Sequence, residues 1–268
     1  MIMPADTHTL ATDRPADLVD DDFRSSVKSR TGVTVVIPVW NEEEAIGAVI
    51  DRIPRNAVDE IIVADGGSKD RTVAIANARG ARVIQPGRGY GRACFEGAKA
   101  ARQGCRIVVI MDGDGSDYPE ELPHLVAPIN AGTHDFVIAS RARGKREPGS
   151  MSWHQLASGR IIGAAVGALY GFRYTDMCAF RAIRRDALMA LDMRQMTYGW
   201  NLEMQMKAAR SGLRILEIPV PYANRAGGAS KVAGSLRGSL RAGSRILFTF
   251  ARVGLSRGGH NRPSRQEC

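Results

Sequence analysis

The chain has 268 residues, of which 44% are hydrophobic, so it can bury the core of one large α/β domain or of two small ones. Its net charge is +9, although residues 1–22 hold six Asp against one Arg, so the remainder of the chain is more basic still. This charge favours anionic partners, which include nucleic acid, acidic lipid headgroups and phosphorylated small molecules, and it does not choose among them.

The four cysteines exclude two classes of small, cross-linked domain. They form no CxxC pair, and no His lies at a zinc-binding spacing, so we expect neither a disulfide scaffold nor a zinc module, and a reducing cytoplasm fits best. The N-terminus lacks the basic-then-apolar order of a signal peptide. The longest apolar stretches, at 161–172 and 246–251, are shorter than the ~20 residues that a spanning helix needs, so we expect no transmembrane segment.

Short apolar strands alternate with helical patterns after an acidic extension, which we expect to be disordered over residues 1–31. The predicted strands lie at 33–37, 60–64, 81–84, 106–111 and 135–139, and the predicted helices between them include 72–78 and 93–101. This alternation predicts a mostly parallel sheet with helices on both faces. Ligands of such sheets bind beside the carboxyl ends of the strands.

A second half of the domain begins at the basic segment 141–146. It contains a Gly/Ala-rich apolar stretch at 161–172, a helix at 201–211 and a strand at 214–220. The predicted organisation is a single α/β domain at 32–225, with halves at 32–140 and 141–225, then a basic amphipathic segment at 226–254 and a disordered tail at 255–268.

The strongest chemical signal is Asp112-Gly113-Asp114, directly after the apolar strand at 106–111. Carboxylates two residues apart in a turning segment can converge on one divalent cation, and Gly113 lets the backbone bend between them. Such a cation would bridge diphosphate oxygens. An isolated motif of this kind is more often an ordinary turn, so its neighbours decide its meaning.

Three other loops follow strands that the topology brings to the same edge of the sheet. The loop 38–42 offers an aromatic ring for a base or ribose and a carboxylate for a ribose hydroxyl. The loop 65–70 supplies carboxylates suited to base N–H groups, and the loop 89–92 allows close backbone approach with a cation near phosphates. Four such loops in chain order favour a nucleotide site over four unrelated turns.

The motifs resemble those of family 2 glycosyltransferases. VTVVIPVWNEEEAI, IIVADGGSKDRT, GYGRA and VVIMDGDGSDYPEEL are similar in order and spacing to the nucleotide-sugar half of that family, in particular its dolichyl- or polyprenyl-phosphate mannose or glucose synthase branch. SRARG, TDMCAFRAIRRDAL, YGWNLEMQMKAARSGLRILEIPVPY and NRAGGASKVAG resemble the acceptor half. The resemblance covers about residues 33–250 and implies a GT-A fold and an inverting, divalent-metal-dependent transferase.

The resemblance also implies roles for individual residues. Ser116 stands where relatives often have a Gln ligand, so Asp117 or water can complete the metal site. Trp40 and Gly66 replace a more usual Tyr and Asp, so both UDP-linked and GDP-linked sugars stay open as donors. The implied nucleotide-binding residues are Pro38, Trp40, Glu42, Asp65, Ser68, Asp70, Arg92 and Gly113, and the implied ligands of Mg²⁺ or Mn²⁺ are Asp112, Asp114 and Ser116.

A phosphate acceptor already carries a nucleophilic oxyanion, so cations that hold it would matter more than a general base. Glu203 matches a Glu of the family and could order an Arg or act as a base, of which we favour the ordering role. The expected catalytic residues are Asp112, Asp114, Arg141 and Glu203, and the candidate acceptor-phosphate ligands are Arg141, Arg160, Arg181, Arg225 and Lys231.

The expected partners are a nucleotide-sugar donor, a polyprenyl phosphate or other lipid acceptor, and a membrane surface. The basic segment 226–254 could rest on anionic lipid at the inner face of the cell membrane or pack on the sheet, and a separate membrane protein could recruit the enzyme. An alternative acceptor is a hydroxyl of a lipid or a small molecule. A nucleic-acid-binding protein is disfavoured, because carboxylates at the strand ends would repel a phosphate backbone.

Overall fold

The computed structural model describes residues 31–227 and residue 250. Within this part of the chain the strands are β1 (Val33–Val39), β2 (Glu60–Asp65), β3 (Arg82–Ile84), β4 (Ile107–Ile110), β5 (Phe136–Ser140), β6 (Arg181–Arg184) and β7 (Ile215–Pro219). The helices are α1 (Ile46–Arg52), α2 (Thr72–Ala78), α3 (Tyr90–Ala100), α4 (Leu122–Asn130, preceded by a 3₁₀ turn at Pro119–Glu121), α5 (Trp153–Tyr170), α6 (Arg185–Ala190) and α7 (Trp200–Arg210).

The seven strands form one mixed sheet in the order β3-β2-β1-β4-β6-β5-β7. Every pairing is parallel except those of β6, which runs antiparallel to both β4 and β5. The predicted mostly parallel sheet is therefore confirmed. Because β1, β2 and β4 run in one direction, their carboxyl ends meet at one edge, where the loops that follow them lie side by side.

The central strands are apolar on both faces because helices cover both faces of the sheet. Every residue of β4 is buried, as is every residue of β1 except Pro38, and α3 packs against both β1 and β2. This explains why the sequence shows continuous apolar runs at these strands and not the alternation of a half-exposed sheet. The core holds the strand ends in place, and the loops beyond them carry the polar side chains.

Helix α5 lies unusually close to the backbone beneath it. It begins at a capping box formed by Ser152 and Gln155 and ends at Gly171, whose φ of 83° is left-handed. A side chain at Gly163 would overlap the carbonyl oxygen of Tyr174, so a small residue is required there. The glycines of α5 therefore face inward together with Val166, while Trp153, Ile161 and Leu169 are exposed.

Two helices were absent from the sequence prediction. The sequence of α4 contains two prolines, which argue against a helix, but Pro123 lies in the first turn, where its missing N–H has no intrahelical partner, and only Pro128 lies in the interior. Helix α6 has six residues and offers little periodicity. Among the described residues, no helix has the length and apolarity to cross a membrane.

Asp135 joins three strands at the edge opposite the strand ends described above. Its carboxylate accepts hydrogen bonds from Arg214, just before β7, at 2.7–2.9 Å, and from Arg184, in β6, at 3.1 Å. Partial burial raises the pKa of the Asp135 carboxyl, but the hydrogen bonds from Arg214 and Arg184 outweigh this effect and lower that pKa from 3.8 to about 2. The ionised form therefore stabilises the fold.

We predict that Asp135→Asn lowers the free energy of unfolding by about 2 kcal/mol at pH 7, since the pKa difference between the folded and unfolded states sets this contribution. The folded-state pKa is depressed, so the contribution is present above pH 4 and is lost as the pH falls toward 2. Urea denaturation at a series of pH values measures it. Asp51→Asn, which removes an exposed ion pair with Arg79, is the control and should change stability by less than about 1 kcal/mol. An equal loss in both variants would contradict the assignment.

Candidate active site

A cleft of about 570 Å³ opens at the carboxyl ends of β1, β2 and β4. Its walls come from both predicted halves of the domain, as expected if a donor and an acceptor meet between them. The lining residues include Pro38, Trp40, Glu42, Gly66, Arg88, Gly89, Tyr90, Asp112, Gly113, Asp114, Arg141, Thr197, Tyr198, Asn201 and Arg225.

The sequence-predicted residues divide into two groups. Those that line the cleft are Pro38, Trp40, Glu42, Asp112, Gly113, Asp114, Arg141 and Arg225. Those in the described part of the chain that do not line it are Asp65, Ser68, Asp70, Arg92, Ser116, Arg160, Arg181 and Glu203. Lys231 and nearly all of the predicted amphipathic segment fall outside the described residues, apart from Ala226, Gly227 and Phe250, of which Phe250 is partly buried against the core.

Three carboxylates meet at the end of β4. Asp114 and Asp117 are buried, and the backbone N–H of Asp112 donates to Asp117 at 3.1 Å. Burial and the neighbouring charges of Asp114 and Asp117 raise the pKa of Asp112 to about 8, while burial and Asp114 raise the pKa of Asp117 to about 7. Full ionisation of the cluster is therefore unfavourable near neutral pH, and a cation bound beside it would favour the ionised forms.

The donor set at this position fits a hard divalent cation, since carboxylate oxygens are the ligands that Mg²⁺ and Mn²⁺ prefer. Asp112 and Asp114 both face the cleft. In the described part of the chain, no group of three or more His, Cys, Asp or Glu side chains is arranged to hold a metal alone. A cation here would accordingly need further ligands from water or from a bound diphosphate.

Ser116 supports Asp114. Its backbone N–H donates to Oδ1 of Asp114 at 2.9 Å, and its hydroxyl donates to the same oxygen. Because Ser116 is buried, these two hydrogen bonds are shielded from water and orient the Asp114 carboxylate.

Arg225 contacts two acidic residues of the cleft. Its guanidinium lies 2.8 Å from Oδ2 of Asp114 and 3.1 Å from Oε1 of Glu42. These contacts join the loop after β4, the loop after β1 and the segment after β7 around one point. The sequence identified all three residues but gave no reason to expect this direct ion pairing.

The polar residues of the loop after β2 bind neighbouring loops. Asp65 accepts hydrogen bonds from the backbone of Gly67 and Ser68, and Ser68 accepts one from the backbone N–H of Asn41 at 2.8 Å. Asp70 accepts from the backbone N–H groups of Thr72 and Glu43, and these bonds, with one from the Thr72 hydroxyl, outweigh burial and lower its pKa. In this structure these carboxylates fix the loop after β2 and bind it to the loop after β1.

The Gly-rich loop places Arg88, and not Arg92, at the cleft. A side chain at Gly91 would overlap the carbonyl oxygen of Gln195, so the glycine is required by packing against that segment. The exposed Arg92 has its backbone N–H bound to a carbonyl of the same segment, at Met196. Arg88 lies with its guanidinium carbon 4.2 Å from the ring centre of Trp40, a cation–π contact at the rim of the cleft.

Arg141, just after β5, is held rigidly in the wall of the cleft. Its guanidinium donates two hydrogen bonds to Asp176, at 2.7 and 2.8 Å, and lies 4.9 Å from the ring centre of Tyr222. A bidentate pair of this kind fixes the plane of the guanidinium. Arg141 therefore presents a fixed positive charge to the cleft.

Arg181 and Arg160 lie in different environments. Arg181 is fully buried, and its guanidinium donates to the backbone carbonyl oxygens of Cys178, Ala179 and Asn201. Arg160 is exposed on α5. We leave both residues out of the acceptor site proposed below, because neither reaches the cleft.

Glu203 fixes a loop that forms part of the cleft wall. Its carboxylate accepts from the backbone N–H groups of Arg194 and Gln195, at 2.9 and 2.7 Å, and lies 3.0 Å from Nζ of Lys207. Glu203 is buried and does not line the cleft itself. Glu203 therefore orders the backbone of Arg194 and Gln195, which agrees with the structural role that we favoured.

Sequence reasoning missed Arg88, Tyr90, Tyr198 and Asn201 as lining residues. Arg88 could have been found, since it precedes the Gly89-Tyr90-Gly91 loop that the sequence identified. Asn201 opens the first turn of α7, and no motif distinguished it from the surrounding helix.

The chain belongs to glycosyl transferase family 2, whose family model matches residues 34–192. It is 38% identical over 212 residues to an uncharacterized glycosyltransferase of Mycobacterium tuberculosis, covering 78% of this chain and 93% of the relative. It is 35% identical over 227 residues to an undecaprenyl-phosphate mannosyltransferase of Micrococcus luteus, covering 77% and 89%. The family resemblance, and the branch to which it pointed, are confirmed.

A solved structure agrees with the fold. Glucosyl-3-phosphoglycerate synthase from Mycobacterium tuberculosis, in complex with Mn²⁺, UDP and phosphoglyceric acid, is similar with a TM-score of 0.67 and 26% identity, covering 88% of this chain and 82% of that one. The expected GT-A fold is confirmed, and the chain is a glycosyltransferase.

We predict that Glu203→Gln lowers the stability of the protein by about 3 kcal/mol, because it leaves Lys207 with a broken buried ion pair. The turnover number should fall by less than about 10-fold, whereas loss of a general base costs about 10²- to 10⁴-fold. Thermal denaturation and steady-state kinetics measure the two effects. The double variant Glu203→Gln/Lys207→Met should regain part of the stability. A large fall in turnover by a variant of normal stability would instead identify Glu203 as a base.

Proposed function

We propose that this enzyme transfers a sugar, with inversion, from a nucleoside diphosphate to a polyprenyl phosphate at a membrane surface. The observation that carries the proposal is the meeting, in one cleft, of the acidic pair Asp112 and Asp114 with the cations Arg141 and Arg225. The acidic pair suits a metal-bound diphosphate, and the two cations suit the phosphates on either side of the sugar, with Arg225 beside the acidic pair and Arg141 farther along the cleft. The sugar would lie between them.

The donor half of the proposal rests on the walls near β1. Trp40 and Pro38 offer an apolar surface for the base, and Arg88 adds a positive charge beside the Trp40 ring. Asp112 and Asp114 would hold Mg²⁺ or Mn²⁺, which when bound neutralises the charge that develops on the departing nucleotide. The Mn²⁺ and UDP bound by the structurally similar synthase support this assignment.

The acceptor half of the proposal rests on the positive charge of Arg141 and on the contacts of the carboxylates in the cleft. Glu42, Asp112 and Asp114 are the carboxylic acids among the residues that line the cleft. Glu42 and Asp114 pair with Arg225, and Asp112 faces the other carboxylates, so none is arranged as a dedicated base for a hydroxyl. A phosphate needs no such base, and Arg141, fixed by Asp176, can orient it for attack on the anomeric carbon.

An exposed apolar face on α5 supports a lipid acceptor. Trp153, Ile161 and Leu169 are 71%, 69% and 54% exposed, whereas Gly159, Gly163 and Val166 of the same helix are buried. Helices that rest in a membrane interface present side chains of this kind to lipid. The enzyme would then bind peripherally at the inner face of the cell membrane, and the name of the Micrococcus relative agrees with an undecaprenyl-phosphate acceptor.

The second candidate is transfer to a hydroxyl of a small phosphorylated molecule. The similar synthase binds phosphoglyceric acid, whose charge could also be met by Arg141 and Arg225. This reading uses the same donor site and leaves the apolar face of α5 without a role.

Purified protein should be assayed with radiolabelled UDP- and GDP-sugars and Mn²⁺ against three acceptors: undecaprenyl phosphate, undecaprenol and 3-phosphoglycerate. We predict product with undecaprenyl phosphate alone, because the other two present a hydroxyl as the nucleophile. Asp114→Asn should reduce transfer by at least about 10³-fold, since the metal contributes several kcal/mol to the transition state.

Asp51→Asn serves as the control for this assay and should retain wild-type transfer, because Asp51 lies on the surface of α1 and pairs with Arg79. Product with 3-phosphoglycerate or undecaprenol, and none with undecaprenyl phosphate, would replace the proposed acceptor with the second candidate. Normal transfer by Asp114→Asn would contradict the donor half of the proposal.

A further inference from the structure

The contacts of Arg225 leave both carboxylate oxygens of Asp114 bound to protein donors. Oδ1 accepts the two hydrogen bonds from Ser116, and Oδ2 lies 2.8 Å from Nη1 of Arg225. The other end of the guanidinium lies against Glu42. Arg225 therefore acts as a counter-ion for the carboxylate that a metal would use.

The position of Arg225 is fixed by the backbone as well as by its charge. The N–H of Ala226 donates to the carbonyl oxygen of Asp114, and the N–H of Ala223 donates to that of Ser116, both at 3.0 Å. The segment 223–226 is thus bound along the loop after β4. These two main-chain hydrogen bonds place the side chain of Arg225 beside Asp114.

Charge makes this contact incompatible with close metal binding at the same oxygen. A guanidinium and a divalent cation that both touch one carboxylate would lie within a few ångströms of each other and repel strongly in a partly buried site. A diphosphate changes this balance, because its oxygens can accept two parallel hydrogen bonds from an arginine. Among the described residues, Nε of Arg225 has no hydrogen-bond partner and is buried, so one donor is available for such a ligand.

We propose that Arg225 and the divalent cation exchange on Asp114, so that the metal enters together with the nucleotide and the released guanidinium moves onto the phosphates. This inference rests on the metal site of the proposed function. Without a nucleotide, Arg225 opposes metal binding. With a nucleotide, Arg225 strengthens the same binding, so that the metal and the donor bind cooperatively.

The test is a titration of the protein with Mn²⁺, followed by the electron paramagnetic resonance signal of the free ion, alone and then with UDP or GDP. Arg225→Gln should bind Mn²⁺ alone about 10-fold more tightly than the wild type, because a competing cation is gone. It should bind Mn²⁺ with the nucleotide about 10-fold more weakly, because the phosphates lose a charged partner. Arg225→Lys keeps the charge and should bind Mn²⁺ alone nearly as the wild type does.

Arg88→Gln is the matched control. It removes one positive charge from the same cleft, but Arg88 contacts Trp40 and is not paired with Asp114. This variant should change the affinity for Mn²⁺ alone by less than about 2-fold, so any general effect of charge is accounted for. Circular dichroism melting curves verify that each variant is folded.

The outcomes separate this inference from the proposed function. If Arg225→Gln binds Mn²⁺ alone no more tightly than Arg88→Gln, the exchange is wrong. If Asp114→Asn binds Mn²⁺ with the nucleotide as well as the wild type does, the metal site itself is wrong, and the proposed donor chemistry fails with it. Loss of Mn²⁺ binding in Asp114→Asn, with opposite shifts in Arg225→Gln, supports both.

Discussion

The repulsion among Asp112, Asp114 and Asp117 is the interaction on which the rest of this site depends. Three carboxylates within six residues, at the end of a buried strand, are costly to keep ionised together, since burial and then the charges of neighbouring carboxylates raise the pKa values of Asp112 and Asp117 to about 8 and 7. The protein offsets part of this cost with nearby donors, which come from Ser116, Arg225 and the backbone of the loop itself. A cation would offset more of it.

The fold supplies the rigidity that holds these charges together. Strand β4 lies at the centre of the sheet between β1 and β6, and all of its residues are buried, so the loop that follows it cannot move away to relieve the repulsion. The loops after β1 and β2 are bound to each other through Asn41, Ser68 and Asp70. The acidic cluster after β4 and the loops after β1 and β2 are therefore fixed by separate sets of contacts.

The second half of the domain uses buried carboxylates in the same way. Asp176 fixes the guanidinium of Arg141, and Glu203 fixes the segment that packs on the Gly-rich loop. In both cases a buried carboxylate positions a neighbour and takes no part in the cleft. Such residues belong to the site's architecture, and a sequence motif does not distinguish them from residues that contact substrate.

The sequence predicted the strand–helix alternation, the shared edge of the sheet and the central role of Asp112 and Asp114, because these follow from hydrophobic periodicity and from topology. It did not predict where the side chains of the loops point. Helix α3 begins at Tyr90 and not near Ala93, so Arg92 lies within its first turn and faces solvent while Arg88 faces the cleft. Likewise, no pattern in the sequence indicated that Arg181, in the antiparallel strand β6, is buried in the core.

The central claim is that Asp112 and Asp114 hold one divalent cation against a diphosphate, and anomalous diffraction tests it most directly. Crystals grown with Mn²⁺ and the nucleoside diphosphate that the enzyme uses should be measured near the manganese absorption edge. We expect one anomalous peak within about 2.5 Å of an oxygen of each Asp and of the diphosphate. A diphosphate bound in the cleft with no manganese between it and these two residues would show that Asp112 and Asp114 do not hold the metal.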